Sequence, residues 1–587
     1  MMRKTTILIL AFLGCIPGIN GQQSNRDVME MPIDHEEVFV HYNTGFLIPG
    51  ETLYYKFYCR NSRTKQLSTL SKVGYLELVD AEKNIIFKHK IALNDGHGQG
   101  DFFVPTSIAS GNYKLIAYTR RMIVGPKEIF FEGNLSIVNP FQNEQQDLFS
   151  SSFSALKNTE ANNLPTPSEQ KSTHVAGRLE IQLENRLFEK RSNVNLVINH
   201  NSRNLTSTGV FSLSVRKIED LEVVPRYTAQ NYPSVINKRS IAFPVQLPEL
   251  RGQLISGRIL TNSMNEGDTG LNNKIVALSI PGDAFFLRLV KTNAMGRFTL
   301  NLENNDFVPR TFLQVLGEDR GKYTIVIDPD PSINYTSLEF EPLHLPVSFK
   351  DRIMEHSIYR QIENSYLEVK QDSLLWNGKS YPFYGVLPEV YHLDEFTRFK
   401  SLNEVFIEIV KMVRIRRMGG NPRLEIVGSF NEPTGANLIP LVMVDGVLLQ
   451  DHSEIIDYDA RKIKTIQVLR EKYFMGPQVY RGIISFETIG GDFFDVMKKE
   501  FISDTEMVRP QQNKIYFSPS YQNLDYLQNR VPDFRLQLLW NPNFSLTNRA
   551  TNVEFYTSDV PGEYEISIEG FTEDGTAVSL KEIIRVH

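Results

Sequence analysis

Cysteine is almost missing from this chain, with two residues, Cys15 and Cys59, among 587. If Cys15 leaves with a leader or carries a lipid, Cys59 stands alone and no intramolecular disulfide can form. Stability then rests on packed cores. Cys59 sits in the strand-like run Tyr54 to Arg60, where a thiol serves as a small buried hydrophobe rather than a nucleophile. Long apolar runs are missing too. Beyond residues 5–16 nothing approaches the roughly 20 apolar residues that a membrane-spanning helix needs. Neither sign of charge dominates: 63 Lys and Arg stand against 69 Asp and Glu, for a net charge of -6. That balance gives no global basis for binding nucleic acid or for strong electrostatic steering. Sequence signatures of catalysis are also lacking, with no H-E-x-x-H, no G-x-S-x-G and no phosphate-binding loop. The 11 histidines do not fall at metal-ligand spacing, and His89 and His97 flank a turn, as surface residues do. Asp328-Pro329-Asp330-Pro331 lacks the glycine and final glutamate of a calcium loop and reads as a rigid acidic turn. The expectation is a non-enzyme without metal or cofactor.

What is present begins with the N-terminus. Arg3 and Lys4 precede the apolar stretch 5–16, and Pro17-Gly18 follows. This order of charge, apolar run and small-residue exit marks a secretory signal over residues 1–21. Cleavage after Gly21 is the preferred exit. Lipidation at Cys15 is the alternative, weakened by Phe12 where a lipobox favours Leu. With 587 residues, roughly three to six domains are expected.

Residues 36–139 alternate in short strand-like runs broken by turns, the pattern of a β-sandwich. Pro49-Gly50-Glu51 precedes a strand, Gly100 to Pro105 forms another turn region, and Gly111-Asn112-Tyr113 opens a closing strand. In order and type these features resemble the second macroglobulin domain of the α2-macroglobulin superfamily. The resemblance implies a non-catalytic sandwich. The thioester of that family needs Cys-Gly-Glu-Gln, which surrounds neither Cys15 nor Cys59, so covalent trapping is not expected. Residues 140–173 are polar and carry Pro165 and Pro167, as a linker does. Residues 174–249 alternate again and resemble a following macroglobulin-like domain. Residues 250–345, with Ser256-Gly257-Arg258-Ile259 and Lys291 to Leu300, are similar to a carboxypeptidase regulatory-like domain, a small transthyretin-like sandwich without catalysis. Residues 346–385 form a connector with a helix over 347–370. The final stretch, 530–587, resembles another macroglobulin-type strand set anchored by Trp540-Asn541-Pro542, too short for a sandwich of its own unless it pairs with strands elsewhere.

Residues 386–495 have a different, α+β pattern. Leu402, Val405, Phe406, Ile409, Met412 and Val413 recur at helical spacing, predicting a helix over 401–417. Ser401 and Glu404 form a capping box, and Gly419-Gly420 supplies the stop. Arg414, Arg416 and Arg417 then lie at the helix C-terminus, where cations offset the dipole. Binding of anionic lipid or lipopolysaccharide is the alternative role for them. Leu441 to Val447, Ile463 to Leu469 and Tyr480 to Thr488 resemble the plug domain of TonB-dependent outer-membrane receptors. The usual Tyr-Gly is altered to Val479-Tyr480-Arg481-Gly482, and no barrel's worth of strands follows Phe493.

The expected fold class is therefore mainly β, tandem sandwiches plus one α+β plug-like module. The expected function is an exported, non-catalytic adaptor of a Gram-negative envelope, periplasmic or at the cell surface. Its partner would be an outer-membrane β-barrel complex serving nutrient uptake, secretion or outer-membrane protein assembly. The candidate contact residues are Asp445, Gly446, Tyr480, Arg481, Arg414, Arg416 and Arg417. The alternative is a peptide- or glycan-binding module that acts without a barrel.

Overall fold

Alternation of side chains explains the architecture strand by strand. Thr52–Asn61 is buried on both faces. Its odd residues look into a sandwich, where Phe57 fills the space that Gly74 leaves on the opposite sheet. Its even residues look outward onto a neighbouring module, where Tyr58 Oη donates to the Glu569 carbonyl at 3.0 Å. Period-2 geometry makes this possible: one strand serves two cores.

The computed structural model describes residues 35–587, apart from 124–126, 143–147, 151–178, 201–208, 219–225, 239–246, 263–269, 283, 304–308, 376–380, 386–388, 419–420, 428–437, 498, 523–530 and 547–549. The expected leader, Cys15, most of the expected linker and Gly419-Gly420 lie outside the described residues. The fold is mainly β, with three sandwiches and one α+β module in a single compact unit, His35–His587. In the first sandwich, Glu36–Tyr42, Thr52–Asn61 and His97–Phe103 form one sheet. The opposite sheet runs in the order Ser234–Lys238, Lys127–Ile137, Gly111–Thr119, Val73–Val79, Ile85–Ala92 and Pro510–Gln511. Cys59 is buried there as a free thiol, its pKa pushed up by burial and then by Glu36.

The second sandwich joins distant parts of the chain. Leu179–Leu183 and Asn193–His200 pair with Ala550–Tyr556. Gly209–Lys217 lies between Gln537–Ser545 and Gly562–Thr572, and Ala577–Val586 extends that sheet. The C-terminal strand set thus completes the 179–217 region in one core. In the third sandwich, Gln253–Thr261 pairs with Arg297–Leu302 and Tyr323–Ile327. The facing sheet is Phe286–Lys291, Ile275–Ile280, Arg310–Leu316 and Ile502–Glu506. The Asp-Pro turn is internal in its use: Asp330 pairs with Lys90 at 2.7 Å and Asp328 with Arg297 at 2.6 Å.

The α+β module has a five-stranded sheet in the order Glu389–His392, Ile463–Leu469, Ile483–Thr488, Leu441–Val444 and Val447–Leu449. Here the helix expected over 401–417 requires correction. The capping box is present, Ser401 with Glu404, but the helix is only Leu402–Glu408. Val413–Met418 is a strand, paired antiparallel with Asn421–Ile426. Val413 and Ile415 alternate with Arg414 and Arg416, so apolar positions compatible with a helix also fit a strand at period 2. Buried Val413, Leu424 and Ile426 favour the hairpin, because both its strands then place apolar side chains in the module core. The connector helix is also shorter than expected, Phe349–Asn364 followed by a 3-10 turn at Leu367–Val369. Among the described residues no helix is long and apolar enough to cross a membrane.

Candidate partner-binding surfaces

The residues singled out in the α+β module divide into two groups. Asp445 and Gly446 form the two-residue turn between Leu441–Val444 and Val447–Leu449, with φ of 48° and 79°, as an Asp-Gly hairpin of the primed kind requires. The Asp445 carboxylate points back into its own module. It accepts from Thr488 N at 2.7 Å, Thr488 Oγ1 at 2.8 Å and Phe493 N at 3.2 Å. Gly446 is packed against the third sandwich, where a Cβ would stand 2.7 Å from Phe285 Cβ. Tyr480 is buried in the core shared with that sandwich, beside Leu287, Leu289 and Met475. Burial pushes its hydroxyl up to about 12. Asp445 thus fixes its own module, while the Gly446 backbone and the Tyr480 side chain join that module to the third sandwich.

Arg414, Arg416 and Arg417 behave differently. They are exposed on the hairpin, and Arg481 is half-buried beside it. Arg414 Nε lies 2.9 Å from Glu425 and Arg416 Nη1 3.5 Å from the same carboxylate. Glu425 is held below the usual carboxylate range, first by its hydrogen bond to Arg414 and further by the charges of Arg416 and Arg481. Arg416 stands directly across from Arg423. The structure thus sets three arginines, Arg414, Arg416 and Arg481, around one glutamate.

A second surface escaped the sequence reading. A cleft of about 470 Å³ lies where the first sandwich, the second sandwich and the connector helix meet, with Tyr54, Phe103, Arg360, Asp372, Tyr516 and Trp540 in its wall. Tyr54 stacks on Trp540 and meets Tyr516 edge-on, with centroids 6.0 and 4.8 Å apart. At its base Glu51 is buried. Burial alone would raise its pKa, but His356 at 3.2 Å and Arg216 at 2.9 Å bring it well below the usual range. Arg360 donates to the Phe534 carbonyl at 2.6 Å. Such a wall of aromatic faces with ionised groups suits a polar ligand bearing flat apolar faces. Its residues come from positions 51 to 540, so no local motif announces it. The only hint is Trp540, one of two tryptophans.

The same junction holds Lys56, which is fully buried. Among the described residues its ammonium bonds only neutral partners, Asn543 Oδ1 at 2.7 Å and His97 Nδ1 at 2.9 Å. Burial lowers its pKa to about 7. His89 and His97, expected at the surface, are half-buried, and burial lowers both, to about 4 and about 3. His89 Nδ1 bonds Tyr55 Oη at 2.8 Å. Nearby, burial raises Glu569 to about 7 while it accepts from Ala229 N at 2.8 Å and Ser579 Oγ at 2.6 Å. Among the described residues no group of three or more His, Cys, Asp or Glu is placed to hold a metal ion.

No family model matches the chain, and no curated protein matches it. Among solved structures it is similar to Escherichia coli α2-macroglobulin activated by porcine elastase, at 8% identity and a TM-score of 0.24, over 94% of this chain and 44% of that one. The native conformation of E. coli α2-macroglobulin matches at 9% identity and a TM-score of 0.23, over 95% and 40%. A Salmonella α2-macroglobulin mutant matches at 8% and 0.23, over 94% and 39%. The chain thus spans less than half the length of these structures. Likeness at this level establishes neither a shared family nor a shared activity.

Proposed function

We propose that this chain is a non-catalytic adaptor of a Gram-negative envelope, exported by its leader, that scaffolds an outer-membrane β-barrel complex. The observation that supports this reading most is the fusion of the α+β module to the third sandwich. Leu441, Met443, Tyr480 and Ile483 share one buried core with Ala277, Leu287 and Leu289. Gln314 Nε2 donates across the seam to the Leu448 carbonyl at 2.8 Å. A module held this firmly presents its outer surfaces at fixed positions, as a scaffold must. The macroglobulin-like, carboxypeptidase regulatory-like and plug-like sequence features agree with the reading.

Purification of the tagged chain from detergent-solubilised membranes should recover a β-barrel protein with it. Recovery as a free monomer, with no barrel protein bound, would overturn the adaptor reading. The aromatic junction cleft favours a second reading, a glycan- or peptide-binding module. A ligand that enters the cleft should raise the melting temperature of the parent protein, since it binds only the folded state, and should do so less in a Trp540→Ala variant.

A further inference from the structure

We propose that the ribbon Val413–Met418 with Asn421–Ile426 is a docking surface for the phosphate headgroups of an anionic membrane leaflet. This goes beyond the adaptor reading, since it needs no protein partner. Were these arginines at the end of a helix, the helix dipole would account for them. They are on a strand, so that account is gone.

The pairing itself leaves charge unmatched. Arg416 and Arg423 occupy directly opposite positions, an arrangement that destabilises a sheet. Arg414 and Arg416 share one carboxylate, Glu425. A guanidinium carries five N–H donors, and one carboxylate cannot occupy those of two. Among the described residues the carboxylate that Arg423 reaches is Glu318, at 3.9 Å, and that glutamate side chain is 99% exposed. The arginine side chains themselves are 57%, 57% and 41% exposed. Arg417 has no carboxylate partner among the described residues. This excess of positive charge stands on a chain whose net charge is -6, so it is a local feature.

Geometry and residue type favour phosphate. Arg414 and Arg416 are ~7 Å apart along the strand, and the opposite strand is ~5 Å away. That makes a flat face of three arginines around one carboxylate, Glu425, with a net positive charge suited to a planar array of single negative charges. Arginine's planar fork matches phosphate oxygens two at a time. Beside the ribbon, Val427 and Ile439 are exposed, and Arg481 N donates to the Ile439 carbonyl at 2.9 Å. Basic and apolar side chains side by side are the composition of a surface that rests on a bilayer.

The test is co-sedimentation of the full chain with vesicles of equal parts phosphatidylglycerol and phosphatidylcholine, against vesicles of phosphatidylcholine alone. Binding should need phosphatidylglycerol and weaken as salt screens the charges. Each arginine reversed in an R414E/R416E/R423E series should lower binding roughly thirty-fold, twice the free energy of one lost charge, whereas R414K/R416K/R423K, which keeps the charge and loses the forked donors, should lose far less. Phenylglyoxal modification of the parent protein provides a second readout that needs no variant. Anionic vesicles should protect the arginines of residues 413–426, and neutral vesicles should not. Equal binding to both vesicle types, undiminished binding by the reversed variants, or no protection of the ribbon would each overturn the proposal. So would loss, in those variants, of a co-purifying protein while vesicles bind neither form. A missing barrel partner with intact vesicle binding would instead count against the adaptor reading alone.

Discussion

Lys56 and Glu569 lie in the same junction between the first two sandwiches, and their titrations oppose each other. Glu569 is raised to about 7 in the folded chain. Its favourable, protonated state contributes fully below the ordinary glutamate range and is lost as pH rises through about 7. Lys56 is lowered to about 7. Its favourable, neutral state contributes fully above the ordinary lysine range and is lost as pH falls through about 7. By linkage, both contributions are poorest near neutrality. Thermal unfolding should therefore show stability rising from pH 7 to pH 9 as Lys56 sheds its proton, whereas below about pH 6 the lowered His89 and His97 oppose the gain from Glu569. Lys56→Met should raise stability by about 1–3 kcal/mol at pH 6, because it removes a buried ammonium at the expense of two unmatched partners. The gain should fade as pH rises above 8. An unchanged or lower melting temperature in Lys56→Met at pH 6 would refute the assignment. None of this was legible in the run Tyr54 to Arg60, which announces a strand but not what its outer face meets. His89 and His97 were misplaced because proximity to a turn does not reveal what packs over it: His89 lies against Tyr55, Phe87 and Phe102 of its own sandwich, and His97 against Lys56.

At the scale of elements, short hydrogen-bonded devices set where strands begin and end. The Asp445 carboxylate ties the turn to the end of Ile483–Thr488 through two bonds and to Phe493 through a third. Asp445→Ala should cost about 2–3 kcal/mol, read from denaturant unfolding, since two backbone donors lose a charged acceptor. A loss near zero would mean that water replaces it. The helix Leu402–Glu408 illustrates how far local pattern carries. Its start was legible because a capping box is a local device, and Ser401 Oγ does accept from Glu404 N at 3.3 Å. Its end was not. Ile409, Met412 and Val413 satisfy a helical stripe, yet Val413 and Ile415 also satisfy a strand, and only the partner strand Asn421–Ile426 decides between them. The functional consequence is large, because the same arginines pass from a helix end to an exposed ribbon.

For the whole molecule, the last part of the chain acts as a fastener. Ile502–Glu506 completes a sheet of the third sandwich, Pro510–Gln511 joins the first, and Gln537–Val586 supplies four strands of the second. The connector helix adds another tie: Asn364 Nδ2 donates to the Gly50 carbonyl at 3.2 Å, and Ile353 packs on Phe46 and Ile48. Removal of residues 501–587 should therefore expose unpaired edges on all three sandwiches. Limited proteolysis should then cut within 179–217 first, because that region keeps no complete core. A truncated chain as resistant as the parent would show that the three sandwiches fold without their C-terminal strands.

The amino-acid sequence by itself determined the mainly β class, the sandwich-type alternation, the lone Cys59 in a core strand, the Asp445-Gly446 turn residues and the capping box. Each depends on interactions within a few residues, or on a periodicity that a single strand displays. Tertiary structure alone decided which strands share a sheet, because backbone pairing is blind to separation along the chain and Asn193–His200 can bond Ala550–Tyr556 as readily as a neighbour. It alone decided that Tyr480 joins two modules, that Lys56 meets Asn543 and His97 in a buried junction and that Tyr54 and Trp540 wall a cleft. It also turned Arg414, Arg416 and Arg423 into one cationic face, since alternation along a strand sets which side chains share a side and only the partner strand sets what stands opposite.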